Sequence, residues 1–157
     1  MKQAKPRKGL PSDDECRAMS RFCLSANLRR TERLVTRHYD AYLEKSGVSA
    51  VQLPILGIVA VADEPSFRLL ADELELDRST LSRNLSVLER NGMLSIGPSS
   101  GPKPGRIALT AKGRSTLRRA HTLWRSAHRA LEKALSGNEL AAGLVFLRNL
   151  RRGARAK

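Results

Sequence analysis

Aromatic rings are scarce in this chain of 157 residues, which holds three Phe, two Tyr and one Trp. No basic stretch carries bulky aromatic anchors, which argues against attachment to an anionic membrane surface. Long apolar runs are missing as well: none approaches the roughly 18 residues that a membrane-spanning helix requires. The first eleven residues, MKQAKPRKGLP, are basic with no apolar run behind them. That pattern is not a secretory signal, and the expectation is a soluble cytoplasmic protein, bacterial and nucleoid-associated.

Cysteine is limited to Cys16 and Cys23, seven residues apart on one helical stretch. The helical rise sets their Cα atoms about 10 Å apart, beyond the roughly 7 Å that a disulfide tolerates. The three histidines, His38, His121 and His128, show no ligand spacing with cysteine or carboxylate, so no metal site is legible. Equally absent are a Gly-rich phosphate loop after a strand, a G-x-S-x-G elbow and a pair of carboxylates in an apolar setting. The residues call for neither an enzyme nor a cofactor. Trp124, alone on a long basic helix, reads as interface core rather than as a cofactor contact.

Acid is the last thing missing, and only from one half. Residues 1–77 balance 12 Lys and Arg against 12 Asp and Glu, whereas residues 78–157 hold 17 basic side chains against Glu89, Glu132 and Glu139. The whole formal excess of +14 therefore lies in the second half. A field concentrated in this way favours a polyanion such as double-stranded DNA, the plainer alternative being a solvated basic surface.

With 41% of its residues apolar, the chain can bury one compact core. Residues 1–11 read as a flexible basic arm. A long helix follows within 12–50: Ser12 with Asp13, Asp14 and Glu15 opens it, Gly47 stops it, and apolar side chains recur at steps of three and four from Met19 to Leu43. That face is expected to be buried. Ser49 and Gln52 form a capping-box pattern ahead of ILGIVAVA, which is apolar on every side and predicts a buried central helix. A short helix over 66–74 ends at Glu75-Leu76-Asp77. The next, over 79–91, places Leu81, Leu85 and Leu88 on one stripe and ends at Gly92. Two short extended pieces, 93–96 and 106–109, flank the turn-forming GPSSGPKPG and predict a hairpin. Thr110 then caps a long helix to about residue 135, and Ser136 with Glu139 caps a last one, ahead of the basic tail RRGARAK. The fold class is mainly α: a winged helix-turn-helix lobe over 51–110, a two-stranded β wing, and long terminal helices over 12–50 and 111–157.

Two short helices across a tight turn, the second greasy on one side and polar on the other, form a helix-turn-helix. Small hydroxyls let a backbone approach a groove floor, and arginine can bond guanine O6 and N7 with two donors. Ser79, Thr80, Ser82, Arg83, Asn84 and Ser86 are the candidates near base edges. Arg78, Arg90, Lys103 and Arg106 are the candidates for phosphates or the minor groove. Asp72, Glu73, Glu75 and Asp77 read as a solvated acidic edge beside the motif.

The segment LLADELELDRSTLSRNLSVLERNGML, followed by a Gly/Pro-rich tip and RIALTAKGR, resembles the multiple-antibiotic-resistance regulator (MarR) family of bacterial winged-helix repressors. The similarity covers about residues 13–150. It implies a homodimer interlocked through its first and last helices, with one recognition helix per half-site of a pseudo-palindromic operator. It also implies a small effector, often aromatic and anionic, bound between the dimer platform and the DNA-binding lobes. Arg33, Arg37, His38 and Tyr42 are the candidates for it, their plainer reading being interhelical ion pairs and core. The wing tip departs from the family, which carries an acid bracing an arginine there; in Ser99-Ser100-Gly101-Pro102-Lys103-Pro104-Gly105-Arg106 the acid is missing. A peroxide-sensing branch keeps a reactive cysteine on the first helix. Aligned on Tyr39, Cys23 falls two residues early and a second activating tyrosine becomes Ala50. Cys16 and Cys23 therefore read as small buried apolar residues, with a redox-sensing repressor and a constitutive architectural DNA binder as the alternative functions.

Overall fold

The structure is a computed structural model that describes residues 9–62, 65–98, 105–135 and 137–156. The chain divides into two compact units at Arg37 and His38.

The first unit holds α1 (Asp13–Phe22) and the start of α2 (Leu24–Leu43). A complete capping box begins α1: Glu15 Oε2 accepts the Ser12 N–H at 2.7 Å while Ser12 Oγ accepts the Glu15 N–H. Those bonds from Ser12 hold the Glu15 carboxyl below its ordinary pKa. The single long helix expected from the sequence is two helices. Cys23 is extended (ψ 110°), and Asn27 Nδ2 donates to the carbonyls of Arg21 (3.0 Å) and Cys23 (2.9 Å) that the break leaves open. The apolar face expected to be buried is not covered within the chain: Met19 is 65% exposed and Phe22 74%.

In the second unit, a 3-10 turn (Glu44–Ser46) and Gly47 in the left-handed region (φ 79°) close α2. Asp40 Oδ1 accepts the Ala50 N–H at 2.6 Å, pinning the turn that leads into α3 (Gln52–Val61). The expected capping box forms, with Ser49 N–H donating to Gln52 Oε1 at 3.1 Å and Gln52 N–H to Ser49 Oγ at 3.3 Å. Ile55, Leu56 and Val59 of α3 are core, but Val61 is 85% exposed, so the helix is buried at its centre and open at its end. Ser66 caps α4 (Phe67–Leu74), whose Leu70 is fully buried.

Glu75 (φ 53°) turns the chain into α5 (Arg78–Arg90), and Gly92 (φ 70°) turns it out. Strands β1 (Leu94–Ile96) and β2 (Ile107–Leu109) pair antiparallel, Leu94 opposite Leu109 and Ile96 opposite Ile107. Thr110 fastens the hairpin to α6 (Ala111–Ala134): its Oγ1 accepts the Gly113 N–H at 2.9 Å and donates to the Gly92 carbonyl at 2.7 Å. Ser136, expected as the last cap, lies outside the described residues; α7 (Glu139–Arg155) starts from Asn138 with no side-chain cap. It also runs five residues past Leu150, so most of the expected basic tail is helix, and Arg155 at its tip pairs with Glu75.

One core, built from Leu43, Ile55, Leu56, Leu70, Leu81, Leu85, Leu88, Leu94 and Ile107 among others, joins α2, α3, α4, α5 and the hairpin. Each fully buried leucine contributes about 1.5–3 kcal/mol, and together they fix how α5 is presented. No residue of α7 is buried; Leu144, Val145 and Phe146 are each about half exposed.

Candidate nucleic-acid interface

The interface starts from the seam of α5. Leu81 and Leu88 are fully buried and Leu85 is 3% exposed, which leaves the opposite side of the helix, Ser79, Ser82, Arg83, Ser86 and Arg90, facing solvent. Helical spacing alone produces this division, since residues at i, i+4 and i+7 share a face.

Asp77 is the residue that reading the sequence misplaced. It is the N-cap of α5 rather than part of a solvated acidic edge: its Oδ1 accepts the Thr80 N–H at 2.8 Å and the Ser79 hydroxyl at 2.6 Å, and its Oδ2 accepts the Thr80 hydroxyl at 2.8 Å. These bonds, the one from the Ser79 hydroxyl foremost, hold its carboxyl far below the usual range. The signal was present, because an Asp three residues ahead of a Thr at the opening of an amphipathic run is an N-cap pattern.

The cap changes what the neighbouring groups can offer. The Ser79 and Thr80 hydroxyls have spent their hydrogens on Asp77 and keep only acceptor lone pairs. Thr80 Oγ1 in turn accepts from Arg83 Nη2 at 3.3 Å, and the half-buried Asn84 gives an Nδ2 hydrogen to the Thr80 carbonyl at 2.9 Å. Ser82 and Ser86 make no side-chain hydrogen bond to the described residues. Arg78 stacks over the Phe67 ring, 5.8 Å from its centroid, and so ties α4 to α5. Glu89 Oε1 accepts the Ile96 N–H at 3.2 Å, tying α5 to the hairpin. Arg106 is exposed where β2 begins, and Lys103 lies outside the described residues.

Behind this surface is an apolar cavity of about 600 Å³. Tyr39 and Leu43 of α2, Leu53, Pro54 and Gly57 of α3, and Leu117, His121 and Trp124 of α6 form its walls. His121, Trp124 and His128 stack along α6 with centroids 5.9 and 5.1 Å apart. Tyr39 OH hydrogen-bonds His128 Nδ1 at 3.0 Å, and burial, reinforced by the nearby Glu132 charge, raises its pKa. Trp124, read from sequence as interface core, is half-buried in this wall. Of the four effector candidates, His38 is engaged with the Ala127 carbonyl (2.9 Å) and with the Tyr42 ring, while Arg33 and Arg37 are exposed; none of the four lines the cavity.

Residues 46–103, the helix-turn-helix and the first part of the wing, match the model of the MarR family. The transcriptional regulator MosR of M. tuberculosis is 28% identical and superposes with a TM-score of 0.76 over 88% of this chain and 99% of its own. The chain belongs to the MarR family. The MarR fold extends over further solved structures. The repressor CouR bound to p-coumaroyl-CoA has a TM-score of 0.76 at 24% identity over 86% of this chain and 95% of its own. A mutant MarR from E. coli complexed with operator DNA has a TM-score of 0.74 at 22% identity, over 85% and 96%. No curated protein matches the chain.

Within this MarR-family chain the cysteines are not the small buried residues expected. Cys16 and Cys23 are both exposed, because the first helices find no cover inside the chain, and Cys16 Sγ sits 3.7 Å from the Pro11 carbonyl. Among the described residues no three His, Cys, Asp or Glu side chains gather as a metal site, and no helix is long and apolar enough to cross a membrane.

Proposed function

We propose that this MarR-family chain is a sequence-specific DNA-binding transcriptional regulator that works as a homodimer and carries out no catalysis, acting on DNA in the bacterial cytoplasm. The observation that carries the reading is the α5 face: hydroxyl and guanidinium groups held outward by a fully buried leucine seam, with a β hairpin directly after it. Each recognition helix enters the major groove of one half-site of a pseudo-palindromic operator, Arg83 and the serines reading bases and Arg78, Arg90, Arg106 and Lys103 gripping backbone or minor groove. The MosR structure in complex with DNA, 28% identical, supports the assignment. The uncovered apolar residues Met19, Phe22 and Leu34 and, separately, Leu144, Val145 and Phe146 supply the dimer contacts.

We infer further that it represses and is released by a small effector with an aromatic ring. The apolar cavity walled by Tyr39, His121 and Trp124 accepts such a ring, so the effector site lies there rather than at Arg33, Arg37, His38 and Tyr42. The exposure of Cys16 and Cys23 favours one rival, release by thiol oxidation. That rival requires peroxide to abolish DNA binding in the wild type but not in a Cys16→Ser, Cys23→Ser variant.

The test is selection of duplexes from a random pool, followed by competition between a selected operator and random DNA. A palindromic consensus bound far more tightly than random duplex is expected. Equal binding to both makes the chain an architectural DNA binder and ends the regulator reading.

A further inference from the structure

A second cavity, of about 870 Å³, adjoins the apolar one and shares Gly57, Leu117 and His121 with it. Its chemistry is different. The floor is the open end of α3 and the outer side of the hairpin, where Val61 is 85% exposed and Ala108 and Leu109 lie beside it. Its rim is cationic: Arg114 and Arg118 stand one helical turn apart on α6, in line with His121, and Arg106 faces them from the foot of the wing. No acid is among its lining residues. Arg114 donates to the Leu109 carbonyl at 2.7 Å, which fixes its guanidinium with donors to spare. The Arg118 side chain is exposed and bonds none of the described residues.

Three guanidinium groups beside one another suit an anion of more than one charge, above all phosphate, which arginine holds with paired donors. The backbone of DNA would satisfy the cations and leave Val61, Ala108 and Leu109 against water. An amphipathic anion covers both. We propose that this groove is the anionic compartment of a two-part ligand site, in which an aromatic head occupies the apolar cavity and a phosphorylated tail passes His121 onto Arg118, Arg114 and Arg106. The assignment rests on the reading that the apolar cavity takes an aromatic effector. It also gives release a direct route, because a tail held by Arg106 withdraws from DNA a cation at the foot of the wing.

The experiment compares benzoyl-coenzyme A with S-benzoyl-N-acetylcysteamine, which carries the same benzoyl thioester without phosphates. Binding to the full chain is measured by titration calorimetry and by quenching of Trp124, the single tryptophan. Benzoyl-coenzyme A should bind at least about tenfold more tightly, the worth of roughly one good charge-assisted pair. Arg118→Glu should abolish that gain and leave the short thioester unaffected, while Lys45→Glu, with the same change in net charge, alters neither. Equal affinity of the two compounds, or a gain that survives Arg118→Glu, overturns the groove and leaves the aromatic cavity standing. A gain lost equally in Lys45→Glu overturns it as mere long-range charge. Binding of neither compound overturns both readings for this head group.

Discussion

Replacing Gly113 by alanine should destabilise the protein, although the residue sits in the first turn of a 24-residue helix where alanine is the better helix former. A Cβ at this position would lie 2.0 Å from the Met93 carbonyl oxygen and 3.0 Å from its carbon, with Leu109 Cδ2 at 3.1 Å. An ordinary carbon to oxygen approach is about 3.3 Å, so helix and strand would have to part by about 1 Å. The carbonyl cannot swing aside cheaply, because it accepts the Thr110 N–H at 3.1 Å and lies 3.2 Å from the Thr110 hydroxyl that caps the same helix. Overpacking of this kind costs about 1–3 kcal/mol and more when backbone must move, against about 1 kcal/mol gained from helix propensity. The net expectation is a loss of about 1–2 kcal/mol. Gly57→Ala is the matched opposite: it lies inside α3, nothing stands within 4 Å of the added carbon, and a gain of up to about 1 kcal/mol is expected. Urea unfolding followed by circular dichroism, at one fixed protein concentration so that association does not shift the midpoint, separates the two. A Gly113→Ala variant as stable as the wild type would refute the close-approach argument.

Three further outcomes are expected. Arg83→Ala should cost about 1–3 kcal/mol in operator binding and relax the preference at one position of each half-site, as read by competition with single-base operator variants. Arg90→Ala should weaken binding to all sequences alike and flatten the slope of log affinity against log salt by about 1 per protomer, measured over a salt series; an unchanged slope removes Arg90 from the phosphate contacts. For Asp77, the folded-state pKa is depressed by the Ser79 and Thr80 bonds, so its stabilising contribution is complete above the ordinary carboxylate range and is lost as pH falls through the depressed value. The stability deficit of Asp77→Ala should therefore be constant near neutrality and shrink below about pH 4. A deficit that grows in acid would contradict the cap.

What could be read from the sequence is what depends on neighbours along the chain. The leucine seam of α5, the Ser49 and Gln52 box, the Thr110 cap and the hairpin flanks are all set by spacings of two to four residues, and the structure places them within a residue or two of expectation. The break at Cys23 was not legible, because no Pro or Gly marks it; it is stabilised by the Asn27 side chain reaching back over a turn. Exposure of Met19, Phe22 and both cysteines was misread for a different reason: an apolar face predicts burial but not whether the cover belongs to the same chain. The cavities were invisible, since Tyr39, Pro54 and Trp124 converge only through tertiary packing.

The N-terminus of α5 joins folding to recognition more tightly than residue types suggest. Asp77 caps the helix through Thr80, Thr80 accepts from Arg83, and Asn84 closes on the Thr80 carbonyl, so the cap and the arginine most suited to guanine sit on one hydrogen-bonded turn. A guanidinium already leaning on a fixed hydroxyl loses less freedom when it meets a base than one swinging in solvent, and a smaller entropic loss favours the bound state. The same arrangement restricts Ser79 and Thr80 to accepting hydrogen bonds, from a cytosine or adenine amino group, and leaves donation to carbonyl acceptors on the bases to Ser82, Ser86 and Arg83. Sequence preference in this protein is thus set as much by which hydrogens the helix cap has taken as by which side chains point outward.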